Sequence, residues 1–250
     1  MELQERINAY WSKRADEFGD ARYMDMQGKK RELWSDLIAP HLPEKEGIRA
    51  LDLGTGAGFF AFIMYDLGCQ VTGIDYSEAM LKNAQKNCDR LGYADITFRQ
   101  MNAQELLFED ESFDFIFTRN VLWTLPDPAT AYREMVRVLA PGGALMVADA
   151  NYSAAFKWMD ANGLTQKAAA NPNLTDSHPA SRLEMIRERN ALAASLYIAD
   201  ERRPFWDLMV LAGLGMERFW LDLDVNANIF GIERAGAKLS PEFVLTSLKH

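Results

Sequence analysis

Three glycines at alternate positions, Gly54, Gly56 and Gly58, follow directly on the run Ala50-Leu51-Asp52-Leu53. Glycines so placed let a chain turn tightly from strand to helix, and they leave N–H groups open to a ligand that a side chain would block. A carboxylate, Asp75, lies 21 residues beyond Gly54, at the end of Val71-Thr72-Gly73-Ile74. At the tip of a second strand such a group can accept hydrogen bonds from both hydroxyls of a ribose. Glycine turn and acid together make a nucleoside-cofactor site, a device that nicotinamide enzymes share. The dinucleotide fingerprint G-x-G-x-x-G, however, needs its third glycine at position 59, where Phe59 stands,. A third group follows in Gln100-Met101-Asn102-Ala103-Gln104, where the Asn102 amide offers an acceptor oxygen,. Asp52 reads equally well as a ligand or as a brace of the glycine loop.

The elements that must position these groups can be read from the pattern around them. Residues 2 to about 40 are helical, with a first segment from Glu2 to Phe18 and a second from Lys29 to His41 that stops before Pro43,. From Ile48 strands and helices alternate: strand Ile48 to Leu53, helix Gly58 to Leu67, strand Val71 to Asp75, helix Ser77 to Leu91, strand Ile96 to Gln100,. Phe113 to Thr118 is a further strand, Asp127-Pro128 opens a helix with a capping Asp, and Ala144 to Ala148 is a short apolar strand,. Residues 151 to 178 are rich in Asn and Ala and read as a functional loop or insertion, too long for an ordinary connection,. Ser181-x-x-Glu184 makes a capping box for a helix running to about Ala199, and Pro204 to Leu211 is another helix,. Strands at Phe219 to Val225 and, after the turn Ser240-Pro241, Phe243 to Leu248 close the chain. Alternation of this kind implies a parallel sheet covered on both faces, with its ligand beyond the carboxyl ends of the strands at the topological switch point.

Residues Ala50 to Gly58 resemble motif I of class I S-adenosylmethionine-dependent methyltransferases. The stretch Gly73-Ile74-Asp75-Tyr76-Ser77-Glu78-Ala79-Met80-Leu81 is similar to the acidic strand end of that family, in which the residue after the acid, here Tyr76, lies against adenine. Phe113-Asp114-Phe115 and Leu139-Ala140-Pro141-Gly142-Gly143 match two further landmarks in order, so the resemblance covers residues 50 to 149. RNVLWTLPDP, from Arg119, and YWSKRADEF, from Tyr10, resemble a subgroup of the type 11, UbiE-like small-molecule methyltransferases. The family usually has an acid where this chain has Asn102. The resemblance implies an α/β fold in three layers, a doubly wound, seven-stranded, mostly parallel Rossmann-like sheet. An N-terminal helical segment and a helical cap inserted after strand five complete it. One domain is expected over 1–250, with a lid at 1–42, a core at 48–150 and 203–250, and the cap at 151–202.

It implies S-adenosylmethionine as cofactor, leaving as S-adenosylhomocysteine. The expected cofactor residues are Gly54, Thr55, Gly56, Gly58, Asp75, Tyr76, Asn102, Ala103, Arg119 and Asn120, with Tyr10 and Arg14 folded over the cofactor's carboxylate. Around the acceptor it places Asn120, Trp123, Asp149, Asn151 and Tyr152, with no assigned base. An Asn-Pro-Pro-Tyr motif is absent after the fourth strand, where Thr118-Arg119-Asn120-Val121 stands, and the Pro-Cys nucleophile of cytosine-C5 enzymes is absent too. Two cysteines, Cys69 and Cys88, are too few for arsenic methylation and form neither a metal motif nor a disulfide framework,. His178 sits in the expected cap and reads first as an ordinary loop residue.

Composition narrows the partners. Twenty-seven Lys and Arg against 36 Asp and Glu give a net charge of −9, which disfavours a nucleic acid partner,. The charged start MELQERINAY lacks the apolar core of a signal peptide, and no apolar run approaches the roughly 20 residues of a membrane span,. A cytoplasmic enzyme acting on a small molecule is expected, with homodimer formation left open. The alternatives are a methyltransferase acting on tRNA or protein, a non-catalytic cofactor-binding protein, and a nicotinamide oxidoreductase, the last disfavoured by Phe59.

Overall fold

The computed structural model describes residues 2–170, 179–223, 225 and 242–250. His178, most of the segment between the last two strands, and the Ser240-Pro241 turn lie outside the described residues. Three N-terminal helices, α1 (Leu3–Ser12), α2 (Ala15–Met26) and α3 (Lys29–Ile38), precede the sheet. The alternating core is β1 (Arg49–Leu53), α4 (Phe59–Asp66), β2 (Gln70–Asp75), α5 (Glu78–Leu91), β3 (Thr97–Gln100), β4 (Phe113–Arg119), α6 (Pro128–Val138) and β5 (Leu139–Asp149). Helices α7 (Tyr152–Ala161), α8 (Leu164–Ala169) and α9 (Pro179–Ala194) follow, then α10 (Phe205–Gly213), β6 (Met216–Asp222) and β7 (Phe243–Lys249).

The seven strands lie in the order β3-β2-β1-β4-β5-β7-β6. The first five are parallel; β7 runs antiparallel between β5 and β6. The chain therefore leaves β1 toward β2 and β3, then crosses back to place β4 on the other side of β1. That reversal opens a crevice above the carboxyl ends of β1 and β4. Alternation of side chains explains the two faces. Ala50, Phe115, Phe117, Met146 and Ala148 pack beneath α3 and α4, while Leu51, Leu53, Ile116, Leu145 and Val147 pack against α6 and α10,. The expected capping residues hold: Ser77 Oγ accepts the Met80 N–H at 3.3 Å, and Asp127 Oδ1 accepts that of Thr130 at 3.0 Å,.

Several boundaries differ from expectation. The segment Glu2 to Phe18 is two helices, broken at Lys13-Arg14, where no glycine or proline announces a stop. The break turns α2 onto α5. There the Gly19 backbone approaches so closely that an added Cβ would stand 2.3 Å from Asn83 Oδ1. Buried Asn87 then ties the two layers by donating to the carbonyls of Gly19, at 2.9 Å, and Ala57, at 3.3 Å. Residues 151 to 169 form α7 and α8 rather than a loop, because Ser153, Ala155, Phe156 and Ala169 give these short helices a buried side, with Gly163 in the left-handed region between them. Ser181 lies inside α9, which begins at Pro179, a residue suited to a first helical position, so the capping box does not mark its start,. β6 starts at Met216 and ends at Asp222, and β5 extends back to Leu139.

A third apolar cluster, Ile7, Tyr10, Trp123, Phe156, Leu192, Ala193, Leu196 and Ile198, joins α1 to the cap helices. A buried ionic group ties the segment before α10, and α10 itself, to β5 and α6. The Arg203 guanidinium pairs with Asp149 at 2.9 Å and Asp207 at 2.6 Å, and the Tyr132 hydroxyl donates to Asp207 at 2.7 Å. Among the described residues no helix is long and apolar enough to cross a membrane.

Candidate functional site

A cavity of 340 Å³ opens above the carboxyl ends of β1 to β4, within the volume range of small-ligand sites. Its floor is the turn Gly54 to Ala57, the strand end Ile74 to Ser77, and Met101 to Ala103; Asn120, Val121 and Trp123 form one side. Helices α1 and α2 add Gln4, Ile7, Asn8, Trp11, Arg14, Phe18 and Arg22, and the cap adds Tyr152, Phe156 and Arg189. Sheet, N-terminal helices and cap thus enclose one space.

The glycine turn is held in shape from two directions. The N–H groups of Gly54 and Thr55 both donate to the Ile74 carbonyl at 2.8 Å, and the N–H of Gly56 donates to Asp75 Oδ2 at 3.0 Å. Gly54 has φ +75°, and a Cβ there would stand 2.1 Å from Val121 Cγ2, so only glycine fits,. Gly56, at φ +54°, would meet no atom within 4 Å, which leaves its face of the turn open. Gly58 does not line the cavity; its Cα faces Phe62, 2.5 Å from where a Cβ would sit.

Asp75 is the anionic centre of the floor. Its second oxygen accepts the Ser77 N–H at 2.8 Å, and burial, opposed by the Ser77, Gly56 and Tyr76 N–H groups, lifts its carboxyl to about 6,. Each oxygen keeps a lone pair for a further donor, so the geometry suits two adjacent hydroxyls. Tyr76 beside it stays 36% exposed, leaving its ring available to a flat ligand. Asp52 does not line the cavity. It is buried, accepts the Thr55 hydroxyl at 2.7 Å, and is lifted by that burial to about 7, which favours its reading as a brace of the loop. Asn102 and Ala103 do line it, but Asn102 Oδ1 accepts the Gln104 N–H at 3.0 Å in a local turn,.

The other expected residues divide. Arg119, Asn120, Trp123, Tyr152 and Arg14 line the cavity; Tyr10, Asp149 and Asn151 do not. Tyr10 stands behind Arg14 and accepts from its Nη1 at 3.0 Å. Asp149 is consumed by Arg203 and by the N–H groups of Trp123 and Ala150, and Asn151 caps α7. Asn120, at φ +57°, accepts the Tyr152 hydroxyl at 3.0 Å. Burial, with Glu242 nearby, pushes the Tyr152 phenol well above its ordinary value, so it remains a proton donor at neutral pH,. Arg119 pairs with Glu242 at 2.6 Å and lies over Trp34 and Phe60.

Two cavity arginines had no signal in the motifs. Arg22 pairs with Asp25 at 2.7 Å, and its buried Nε has no hydrogen-bond partner among the described residues. Burial, and Arg119 in addition, pull its pKa down. Arg189 belongs to a stripe of α9 in which Arg182, Asn190 and Ala193 are buried, so its helical phase alone could have marked it as inward,.

The methyltransferase domain family profile matches residues 44–194 of the chain. The ubiquinone biosynthesis O-methyltransferase of Alkalilimnicola ehrlichii is 34% identical over 138 residues, 52% of this chain and 56% of that protein. The demethylmenaquinone methyltransferase of Bacillus velezensis is 34% identical over 113 residues, 44% of this chain and 48% of that protein. The chain thus spans about half the length of the curated relatives it matches. Among solved structures, an S-adenosylmethionine-dependent methyltransferase from Aquifex aeolicus superposes with a TM-score of 0.54 at 18% identity, over 92% of this chain and 98% of that one. The profile spans more than half of the residues and covers the strands that carry the glycine turn, Asp75 and the Asn120 loop, and on that ground the chain belongs to the methyltransferase domain family.

Proposed function

We propose that the chain is an enzyme that binds S-adenosylmethionine in this cavity and transfers its methyl group to a small-molecule acceptor. The observation that carries the reading is Asp75, a carboxylate with free lone pairs at the end of β2, set against a glycine turn whose Gly56 face is open. These residues fit the cofactor. Asp75 would accept from the ribose hydroxyls, Tyr76 would lie against the adenine, and the Asn102-Ala103 backbone would meet the base edge. Arg22 and Arg119 flank Phe59 and Phe60 at the start of α4, next to the glycine turn, and suit a carboxylate.

Bound here, the cofactor supplies a methyl group on a positively charged sulfur with a neutral thioether as leaving group. The protein's share is then orientation and exclusion of water. Trp11, Trp123, Tyr152 and Phe156 form an aromatic wall, with Trp123 centred 5.0 Å from Tyr152 and 6.1 Å from Trp11. Such a wall desolvates a nucleophile and fixes its approach. Tyr152, held by Asn120 and kept protonated, orients an acceptor oxygen or nitrogen and does not remove its proton. The net charge of −9 supports a metabolite over a nucleic acid as acceptor,.

The test is calorimetry with S-adenosylhomocysteine and NADH on the folded chain, followed by transfer of labelled methyl to a metabolite extract. Binding of S-adenosylhomocysteine in preference to NADH is expected, with label appearing in small molecules. Preference for NADH, or label found only in protein or RNA, would overturn the reading.

A further inference from the structure

We propose that the methyl acceptor carries an anionic group, a carboxylate or a phosphate ester, and that Arg189 binds it. The proposal rests on the methyltransferase reading for the word acceptor, but the anion site stands on its own geometry.

Four arginines line the cavity of a protein with a net charge of −9. Three have a carboxylate partner: Arg14 with Glu17 at 3.2 Å, Arg22 with Asp25, and Arg119 with Glu242. Arg189 has none within ion-pair distance among the described residues. Its Nε and Nη2 both donate to the neutral Asn190 Oδ1, at 3.1 and 2.9 Å. The Nη1 hydrogens and the second Nη2 hydrogen have no protein acceptor among the described residues, and they form the outer edge of a planar fork.

That fork is held in place. The guanidinium carbon lies 3.7 Å from the centroid of the Phe156 ring, a stacked contact that fixes its plane,. Asn190 is 6% exposed and donates through Nδ2 to both oxygens of Asp160, at 3.1 Å each, and Asp160 also receives the Thr165 hydroxyl. Three residues of the cap therefore aim one arginine, and the acid among them hydrogen-bonds to the intervening amide and makes no direct ion pair with it. A direct Asp160 pair would have neutralised the charge; the intervening amide orients it, and Asp160 favours it only from a distance. Burial above all, with the neighbouring Arg14, disfavours the charged form by more than Tyr10, Asp160 and Tyr152 favour it, an unfavourable arrangement that a bound anion would relieve.

The location separates this charge from those near the glycine turn. Arg22 and Arg119 influence one another beside Phe59 and Phe60, whereas Arg189 lies on the cap with Phe156 and interacts with Tyr10, Arg14, Asp160 and Tyr152. An acceptor with its anionic group on Arg189 would lay its body along Phe156, Tyr152 and Trp123. The bidentate fork matches the oxygens of a carboxylate or a phosphate equally.

The test uses the full chain with benzoate, phenyl phosphate and neutral benzamide as probes, titrated with and without saturating S-adenosylhomocysteine and followed by ligand-observed NMR. At least one anion is expected to bind at least tenfold more tightly than benzamide, and the better of the two distinguishes a carboxylate from a phosphate site. Arg189→Met and Arg189→Gln, each checked for folding by circular dichroism, are expected to abolish that preference, Arg189→Lys to retain part of it, and all three to leave the S-adenosylhomocysteine Kd within twofold. Equal binding of all three probes would overturn the proposal, as would a preference that survives both neutral variants. A tenfold loss of S-adenosylhomocysteine affinity in those variants would also overturn it, by assigning Arg189 to the cofactor. If the unmodified chain prefers an anion through Arg189 but does not bind S-adenosylhomocysteine, the anion site stands and the methyltransferase reading falls.

Discussion

Replacing Asp75 by Asn preserves the size of the side chain and removes its charge, which isolates what the carboxylate does. In the folded chain its two oxygens each accept one backbone N–H, from Gly56 at 3.0 Å and Ser77 at 2.8 Å, and each has capacity for a ribose hydroxyl. An amide has one acceptor oxygen, so one N–H would face an NH₂ group and at most one hydroxyl would keep its partner. A hydrogen bond to a charged group contributes about 1.5–3 kcal/mol, and Asp75→Asn should therefore weaken S-adenosylhomocysteine binding by between about 10-fold and about 150-fold. The pH dependence follows from the same group. Burial holds the ligand-free carboxyl at about 6, and hydroxyl donors favour its ionised form, so binding below that pH must expel a proton. At pH 5 about a tenth of the sites are ionised, and affinity should be about tenfold weaker than at pH 8, where it has levelled off. Calorimetry at both pH values on the unmodified and Asp75→Asn proteins reads the two effects, and the variant corrects for titration of the ligand. A Kd that is the same at pH 5 and pH 8, or a variant that tracks the unmodified protein, would refute the reasoning.

The turn gives a contrast between neighbours. Gly54→Ala places a methyl 2.1 Å from Val121 and should unfold the loop or the chain. Gly56→Ala meets no protein atom and should cost only about 1–2 kcal/mol of left-handed strain while lowering cofactor affinity, as denaturant melts and calorimetry together would show,. Arg203→Met strands Asp149 and Asp207 without their cation and should destabilise the fold by about 3–5 kcal/mol in urea,. Asp52, buried and lifted from 3.8 to about 7, adds stability below pH 3.8 that is lost as pH rises through 7. Asp52→Asn keeps an acceptor for Thr55 and should gain up to about 4 kcal/mol on the unmodified chain between about pH 4 and pH 8, measured by chemical denaturation at each pH.

The floor of the site was legible because its constraints are local. A glycine that must take φ +75° beside Val121, and an acid that must end a strand, leave marks at fixed spacing in the sequence. The same holds for the capped helices α5 and α6 and for the buried strand β4. The walls were less legible, since their residues meet only in three dimensions. Asp149 ends β5 and Asn151 follows it, where acceptor residues are expected, yet a partner 54 positions away, Arg203, claims Asp149, and the N-terminus of α7 claims Asn151. Arg189 needed the opposite correction: nothing near it in sequence resembles a motif, and its role depends on Phe156, Asn190 and Asp160 being brought around it. The break at Lys13-Arg14 was invisible for a related reason, because the close approach of Gly19 to Asn83 on a distant helix sets the path of α2.

The cavity draws its floor from the Gly54 turn, the end of β2 and residues 101–103, and much of its enclosure from α1, α2, α7 and α9. The enclosing segments join the alternating core before its first strand, β1, and after its last parallel strand, β5, so residues can be lost or gained there without shifting the register of any central strand. Inheritance can therefore act on the two halves at different rates. On the proposed reading, a duplicated copy could exchange its helical segments and take up a new acceptor while keeping the donor site, whereas a change at Gly54 or Asp75 would weaken both capacities at once. For a chemist wishing to redirect the protein, the place to randomise is the inner surface of α1, α7 and α9, and the place to leave alone is the stretch of chain that the eye first notices.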